Sequence, residues 1–177
     1  VMFVGKGQYV TKRGQNMRRD LGGTAKGYAD DGMLKTLIQH GIAQASIKAG
    51  GEVRLGDAPS DRDGWNISLK TLDSTHQLSS KTIVLSNCAI STSGDLYQSI
   101  TIDGTRYSHI VNPDTALGLT TRKSATVIGP DCTHTDALAT ALCVDPTLQF
   151  PKFKTLVIYE HTDGTLKRIQ SENWSRK

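Results

Sequence analysis

Aromatic residues make up only 6% of this chain of 177 residues, while glycine occurs 17 times. That balance predicts tight turns and close backbone approaches around an aliphatic core. Cysteine is scarcer still. The three thiols, Cys88, Cys132 and Cys143, form no Cys-x-x-Cys pair and are odd in number. A disulfide framework and a zinc knuckle are therefore excluded, and small buried apolar roles are expected. No apolar run approaches the roughly 18 residues that a membrane-crossing helix needs. Charge of one sign is also lacking. The net charge is +4 with a pI near 9.0, and the basic residues are scattered from Lys12 to Lys177. A nucleic-acid reader would carry a dense basic stripe interleaved with aromatics, so that partner class is excluded, whereas small anions remain suitable partners.

What is present suits one domain with a substantial core. Apolar residues recur at three- and four-residue steps from Thr24 to His40 (Tyr28, Ala29, Met33, Leu34, Leu37, Ile38), with Gly41 as the stop, which predicts a helix. A second helix is expected from Thr133 or Thr135 to Cys143, with Pro146 beyond it. Strands are predicted over Val1–Val10, Ile42–Lys48, Val53–Leu55, Trp65–Leu69, Lys81–Leu85, Ala89–Thr92, Thr155–Tyr159 and Thr165–Ile169, with polar segments at Lys12–Asn16 and Asp57–Gly64. Asp103-Gly104 and Asp163-Gly164 carry the signal of two-residue hairpin turns. Helices set among hairpins predict an α+β fold with a mainly antiparallel sheet.

Three constellations bear chemistry. In Asp20-Leu21-Gly22-Gly23-Thr24-Ala25-Lys26-Gly27-Tyr28-Ala29, two glycines precede a helix start, where free N–H groups and a partial positive charge favour phosphate and Lys26 adds a full charge. The same string also reads as a turn and cap built by Asp20. Asp136 and Thr140, four apart on a helix, aim a carboxylate and a hydroxyl at one point. Such oxygen donors suit Mg²⁺, although a Thr can equally bond back into its own helix. The third constellation joins Ser91-Thr92-Ser93-Gly94-Asp95, a loop able to wrap a polyanion or polar ring, to Arg106-Tyr107-Ser108-His109-Ile110-Val111-Asn112-Pro113. There His109 reads either as a positioned base or as a structural histidine. His40, His76, His134 and His161 lie at helix ends, turns or loops and are assigned no role.

These strings, together with Ala49-Gly50-Gly51-Glu52-Val53-Arg54 and Asp136-Ala137-Leu138-Ala139-Thr140-Ala141-Leu142, occur in the order found in the ApbE family of flavin transferases. The chain resembles that family from Asp20 to about Ile169. The resemblance implies Mg²⁺-dependent transfer of FMN from FAD to a Thr or Ser hydroxyl of an acceptor protein, such as a membrane redox-complex subunit, with AMP released. It implies Ala25 (through its carbonyl), Asp136 and Thr140 as metal ligands and His109 as the base. Asp20, Gly22, Gly23, Lys26, Tyr28, Thr92, Ser93, Gly94, His109 and Ile110 are the implied flavin-nucleotide contacts.

The family pattern also has Asp, a basic residue and Gly where this chain carries Asn112, Asp114 and Ala116; the last restricts a turn suited to positive φ. Family members are typically exported, often as lipoproteins facing the periplasm. The chain opens with Val inside a β-prone stretch, so residues 1–177 are expected to be the C-terminal portion of one longer domain. Two rival readings are a member that binds FAD, or cleaves it to FMN and AMP, without transfer, and a flavin acceptor. The nearest acceptor-like stretch, Asp73-Ser74-Thr75-His76, matches poorly.

Overall fold

The computed structural model describes residues 3–4, 10–11, 15, 20–72, 78–95 and 98–175. In chain order the elements are β1 (Phe3–Val4), β2 (Val10–Thr11), α1 (Ala25–Gln39), β3 (Ser46–Ala49), β4 (Glu52–Leu55), β5 (Trp65–Leu72), β6 (Leu78–Leu85), β7 (Ala89–Gly94), β8 (Ser99–Ile102), β9 (Thr105–Ser108), β10 (Lys123–Gly129), α2 (Cys132–Val144), β11 (Lys154–Glu160) and β12 (Leu166–Gln170). β1 and β2 form a two-stranded ladder. The rest of the expected opening strand, the Lys12–Asn16 segment apart from Gln15, and Asp73–His76 lie outside the described residues.

Six strands form one sheet in the order β12-β11-β10-β7-β4-β3, and every neighbouring pair is antiparallel. The period-2 alternation of strands sends successive side chains to opposite faces. Ala125, Val127 and Val157 meet Ala139, Leu142 and Cys143 of α2 on one face. Val53, Leu55, Ile90, Leu156 and Ile158 meet Leu69 on the other, where Trp65, Ile67, Ile83 and Leu85 of the β5–β6 hairpin cover them. Complete burial of Leu55 and Leu142 contributes about 1.5–3 kcal/mol each. The α+β architecture with antiparallel sheet is thus the observed one. Among the described residues, no helix is long and apolar enough to cross a membrane.

Several boundaries differ from expectation for identifiable reasons. Ile42 belongs to the end of α1: its N–H donates to the Leu37 carbonyl at 2.9 Å and Gly41 adopts φ +80, a left-handed cap that delays the strand to Ser46. Asp103 and Gly104 both have positive φ, as a two-residue hairpin turn requires, but the Asp163-Gly164 hairpin closes a three-residue loop through His161 N–H to Thr165 O at 2.7 Å. The central strand β10 is the element that local pattern does not announce. Ser124 and Thr126 lie on one of its faces and are buried, so the strand presents hydroxyls where an apolar run is the usual sign. α2 begins at Cys132, with Asp131 as its cap accepting from His134 N–H.

α1 turns Gly27, Asp30 and Leu34 inward. Gly27 is required by proximity, because a Cβ there would lie 2.1 Å from the Cys132 carbonyl oxygen of α2. Asp30 is anomalous in that stripe. Its side chain is fully buried and neither oxygen makes a well-formed hydrogen bond. Burial pushes its carboxyl up; the Ala49 backbone opposes the shift, while the charges of Asp31 and Asp136 add to it.

Gly27→Ala is expected to lower stability by about 1–3 kcal/mol despite alanine's better helix propensity, read as a fall in thermal midpoint; an unchanged midpoint contradicts the tight crossing. Asp30→Asn should raise the midpoint at neutral pH, because the ionised carboxylate is the destabilising form. Asp30 is held above its unfolded-state value, so its penalty disappears as pH falls through the raised folded value. The gain from Asn should therefore shrink in mildly acidic buffer, and a constant gain would contradict the assignment.

Candidate functional site

The N-terminal turns of α1 and α2 meet over the ends of β4 and β7. Thr24, the N-cap of α1, makes no side-chain cap of its own helix. The amide of Gly27 instead donates to Asp136 Oδ2 of α2 at 3.1 Å. In the preceding turn Asp20 Oδ1 accepts from Gly22 N–H at 2.7 Å, which is the turn-building role open to it. Gly23 runs close beside α2: a Cβ there would stand 3.3 Å from Thr140 Oγ1. Ala25 is the first residue of α1, one position before Lys26. Gly22, Gly23, Lys26, Asp136 and Thr140 are therefore brought together by the fold, with Ala25 beside them in sequence.

Lys26 reaches back into this crossing. Its ammonium donates to the Gly22 carbonyl at 2.9 Å and lies 3.4 Å from Glu52 Oε1 and 3.5 Å from Asp136 Oδ1. Burial of its stem pulls its pKa down, but the Glu52 and Asp136 carboxylates outweigh this and hold the ammonium protonated. Glu52 is buried and pushed up by that burial and by the Asp136 charge, with Lys26 opposing. Glu52 and Arg54 alternate on β4 and face the helices. Arg54 Nε lies 2.9 Å from Asp31 Oδ1, and its Nη1 donates to the Leu55 and Cys88 carbonyls, both at 3.0 Å. Glu52 and Arg54 stand in the Ala49–Arg54 string without an assigned role, and Asp31 is not named by sequence reasoning. The available signal is the same-face alternation of two charged residues in a buried strand.

Strand β7 extends past the expected Ala89–Thr92 through Ser93 and Gly94, where small hydroxyl residues read as a loop, and alternation divides it. Ser93 faces α2, where its Oγ lies 3.1 Å from Thr140 Oγ1, and Thr140 Oγ1 also donates to the Asp136 carbonyl at 3.2 Å. Thr92 points to the opposite face, with its hydroxyl 2.9 Å from Thr126 Oγ1. A cavity of about 640 Å³ lies on that side, lined by Lys48, Gly50, Gly51, Asn66, Thr92 and Gly94 among others. Tyr28, 72% exposed, lies on the outer side of α1.

His109 follows the β8–β9 hairpin. Its backbone N–H and its ring Nδ1 both lie 3.2 Å from the Gln98 carbonyl. A carbonyl only accepts, so Nδ1 carries the proton and the Nε2 lone pair is left to solvent. The hairpin is tied to the sheet by Asp95, which is buried, pairs with Arg106 and accepts the Lys123 amide at 3.1 Å. Ile110, expected as a flavin contact, places its side chain in the core beside Ala139 and Leu142 and offers a ligand only its backbone. In the following turn Asn112 Oδ1 accepts from Asp114 N–H at 2.8 Å, a role that Asn fills as well as Asp. Ala116 sits at φ +57, a left-handed conformation that costs a residue with a Cβ about 1–2 kcal/mol. Cys88, Cys132 and Cys143 are free thiols. Burial pushes Cys132 and Cys143 up to about 12, so neither is a reactive thiolate at neutral pH.

The chain is similar to known proteins in sequence and in fold. Curated relatives include the FAD:protein FMN transferase of Treponema pallidum, 31% identical over 150 residues that cover 80% of this chain and 41% of the relative. The protein of the same name from Vibrio cholerae is 33% identical over 140 residues, covering 78% and 42%. Among solved structures, the flavin transferase ApbE of Vibrio cholerae superposes with a TM-score of 0.81 at 29% identity, covering 98% of this chain and 56% of that one. The ApbE protein of Thermotoga maritima superposes with a TM-score of 0.72 at 31% identity, covering 88% and 52%. The chain thus spans less than half the length of the curated relatives it matches. The profile of the ApbE family matches residues 2–155, and with the fold and the ordered motifs this shows that the chain belongs to the ApbE family.

Proposed function

We propose that this chain forms the pyrophosphate, metal and base portion of an enzyme that transfers FMN from FAD to a Thr or Ser hydroxyl of an acceptor protein and releases AMP. The observation that carries the reading is the convergence of oxygen donors, a helix start and a single ammonium at the α1–α2 crossing. Curated relatives of this chain are named FAD:protein FMN transferases.

The donor set fits a small hard cation. Asp136 keeps Oδ1 turned to the Lys26 ammonium at 3.5 Å, longer than a strong charge-assisted bond, and the Cβ that Gly23 lacks would crowd Thr140 Oγ1. Asp136, Thr140 and the Ala25 carbonyl would hold Mg²⁺, which neutralises charge on phosphoryl oxygens. The other residues act directly. The backbone of exposed Gly22 and half-buried Gly23 and the start of α1 favour the pyrophosphate, and Lys26 restrains the acidic cluster from repelling it. His109, held through Nδ1 by Gln98, accepts the acceptor hydroxyl proton at Nε2. The hydroxyl oxygen forms its bond to the FMN phosphorus as the bond to AMP breaks and AMP departs with that electron pair. On the same reading the protein works outside the cytoplasm on a membrane redox-complex subunit or a comparable acceptor.

The direct experiment mixes the full-length protein with FAD, Mg²⁺ and an acceptor protein and reads the acceptor's intact mass. A gain equal to FMN is expected; FAD cleaved to FMN and AMP with no mass gain would contradict transfer. Asp136→Ala should lower Mg²⁺-dependent FAD turnover at least about 100-fold and also destabilise, since it strips the Gly27 amide of its acceptor. Asp136→Asn retains an oxygen for Gly27 and separates the two effects. For His109→Ala, FAD affinity measured by fluorescence quenching should be kept while transfer falls by about 10²–10⁴-fold; transfer at the parent rate would leave His109 structural.

A further inference from the structure

Each helix of the site is capped by a carboxylate from the other. Asp136 of α2 takes the Gly27 amide of α1 at 3.1 Å. In return, Asp31 of α1 takes the first two amides of α2: Oδ1 accepts from Cys132 N–H at 2.9 Å and Oδ2 from Thr133 N–H at 2.8 Å. Thr133 Oγ1 adds a third bond to Oδ2 at 2.6 Å. Asp131, the α2 cap in sequence, takes the next amide, at His134. The N-terminal amides that a helix leaves without partners are thus shared between a local and a remote carboxylate.

Asp31 is itself anchored. Arg54 of β4 sets its guanidinium against Oδ1 while bonding the Leu55 and Cys88 carbonyls. A continuous path therefore runs from the sheet through Arg54 and Asp31 to the first turn of α2, and Asp136 projects from the next turn. Both oxygens of Asp31 are loaded with donors, so the cap fixes rotation as well as distance. An α-helix is stiff over one turn, so a change at Cys132 and Thr133 is carried to Asp136 and Thr140.

We propose that Asp31 is a positioning residue, setting where Asp136 and Thr140 stand relative to the Ala25 carbonyl. This rests on the reading above, in which those three groups hold a divalent cation. Asn at position 31 matches Asp in size but presents an amide NH₂ to one of the two donor sets, so Asp31→Asn disturbs the cap without opening a cavity. Asp31→Glu keeps the charge and lengthens the reach.

The test titrates the full-length protein with Mn²⁺, read by loss of the free-ion electron paramagnetic resonance signal, with FAD present and acceptor absent. In parallel, hydrogen exchange is followed at the Gly27 amide. Asp31→Asn should weaken Mn²⁺ binding by about 10–100-fold and speed exchange at Gly27, and Asp31→Glu should give a smaller effect of the same sign. Ile158→Val, in the core on the far face of the sheet, serves as the stability control and should leave both readouts at parent values. Parent-like Mn²⁺ affinity and Gly27 exchange in Asp31→Asn would overturn the proposal, as would an equal loss of affinity in Ile158→Val. Asp136→Ala separates the two readings. If it abolishes Mn²⁺ binding while Asp31→Asn does not weaken it, only the positioning role fails; if it leaves Mn²⁺ affinity unchanged, the metal reading fails and takes this one with it.

Discussion

Two helix starts pressed together create an electrostatic problem, since each carries about half a positive charge in its unpaired N–H groups. Here the solution is reciprocal. Asp136 serves the start of α1 and Asp31 serves the start of α2. Burial alone would push Asp31 up, but the Thr133 hydroxyl, the Cys132 and Thr133 amides and the Arg54 charge together hold its carboxyl below its ordinary value. Its contribution to stability is therefore present above the unfolded-state value and is lost as pH falls through the depressed folded value. Gly27 makes the arrangement sterically possible by admitting the Cys132 carbonyl where a side chain would stand.

The crossing is also unbalanced in charge. Asp30, Asp31, Glu52 and Asp136 face Lys26 and Arg54, and burial pushes up both Asp30, whose oxygens lack well-formed hydrogen bonds, and Glu52, which meets Lys26 through Oε1 alone. Such an excess is costly in an isolated fold and useful where a cation is to be received. On the proposed reading, the sheet then separates two tasks. The helix face bears Ser93, Thr140 and Asp136, whereas the opposite face bears Thr92 and the cavity beside Gly50 and Gly51. A dinucleotide has two ends to place, and these are two distinct surfaces meeting at the end of β7.

Both helices are legible because their apolar periodicity and stop signals are local, as Leu34, Leu37 and Gly41 illustrate. The motif glycines at 22, 23 and 27 are likewise legible as close approaches, though what each approaches is not. Strand β10 escapes because Ser124 and Thr126 put hydroxyls on its interior face. The bonds from Asp31 to Thr133 and from Gly27 to Asp136 join residues more than a hundred positions apart, so no local pattern signals them. The loop reading of Thr92 to Gly94 fails for another reason. Small hydroxyl residues favour turns in isolation, but here the ladder with β10 and the Thr92–Thr126 hydroxyl pair hold them extended.

The account stands on the claim that Asp136, Thr140 and Ala25 form one cation site at the helix crossing. Crystals of the full-length protein grown with FAD and Mn²⁺ and measured at the manganese absorption edge test it most directly. The account predicts one strong anomalous peak bonded to the Asp136 carboxylate, the Thr140 hydroxyl and the Ala25 carbonyl. A peak bonded to none of these three groups, with the crossing itself ordered, would contradict it.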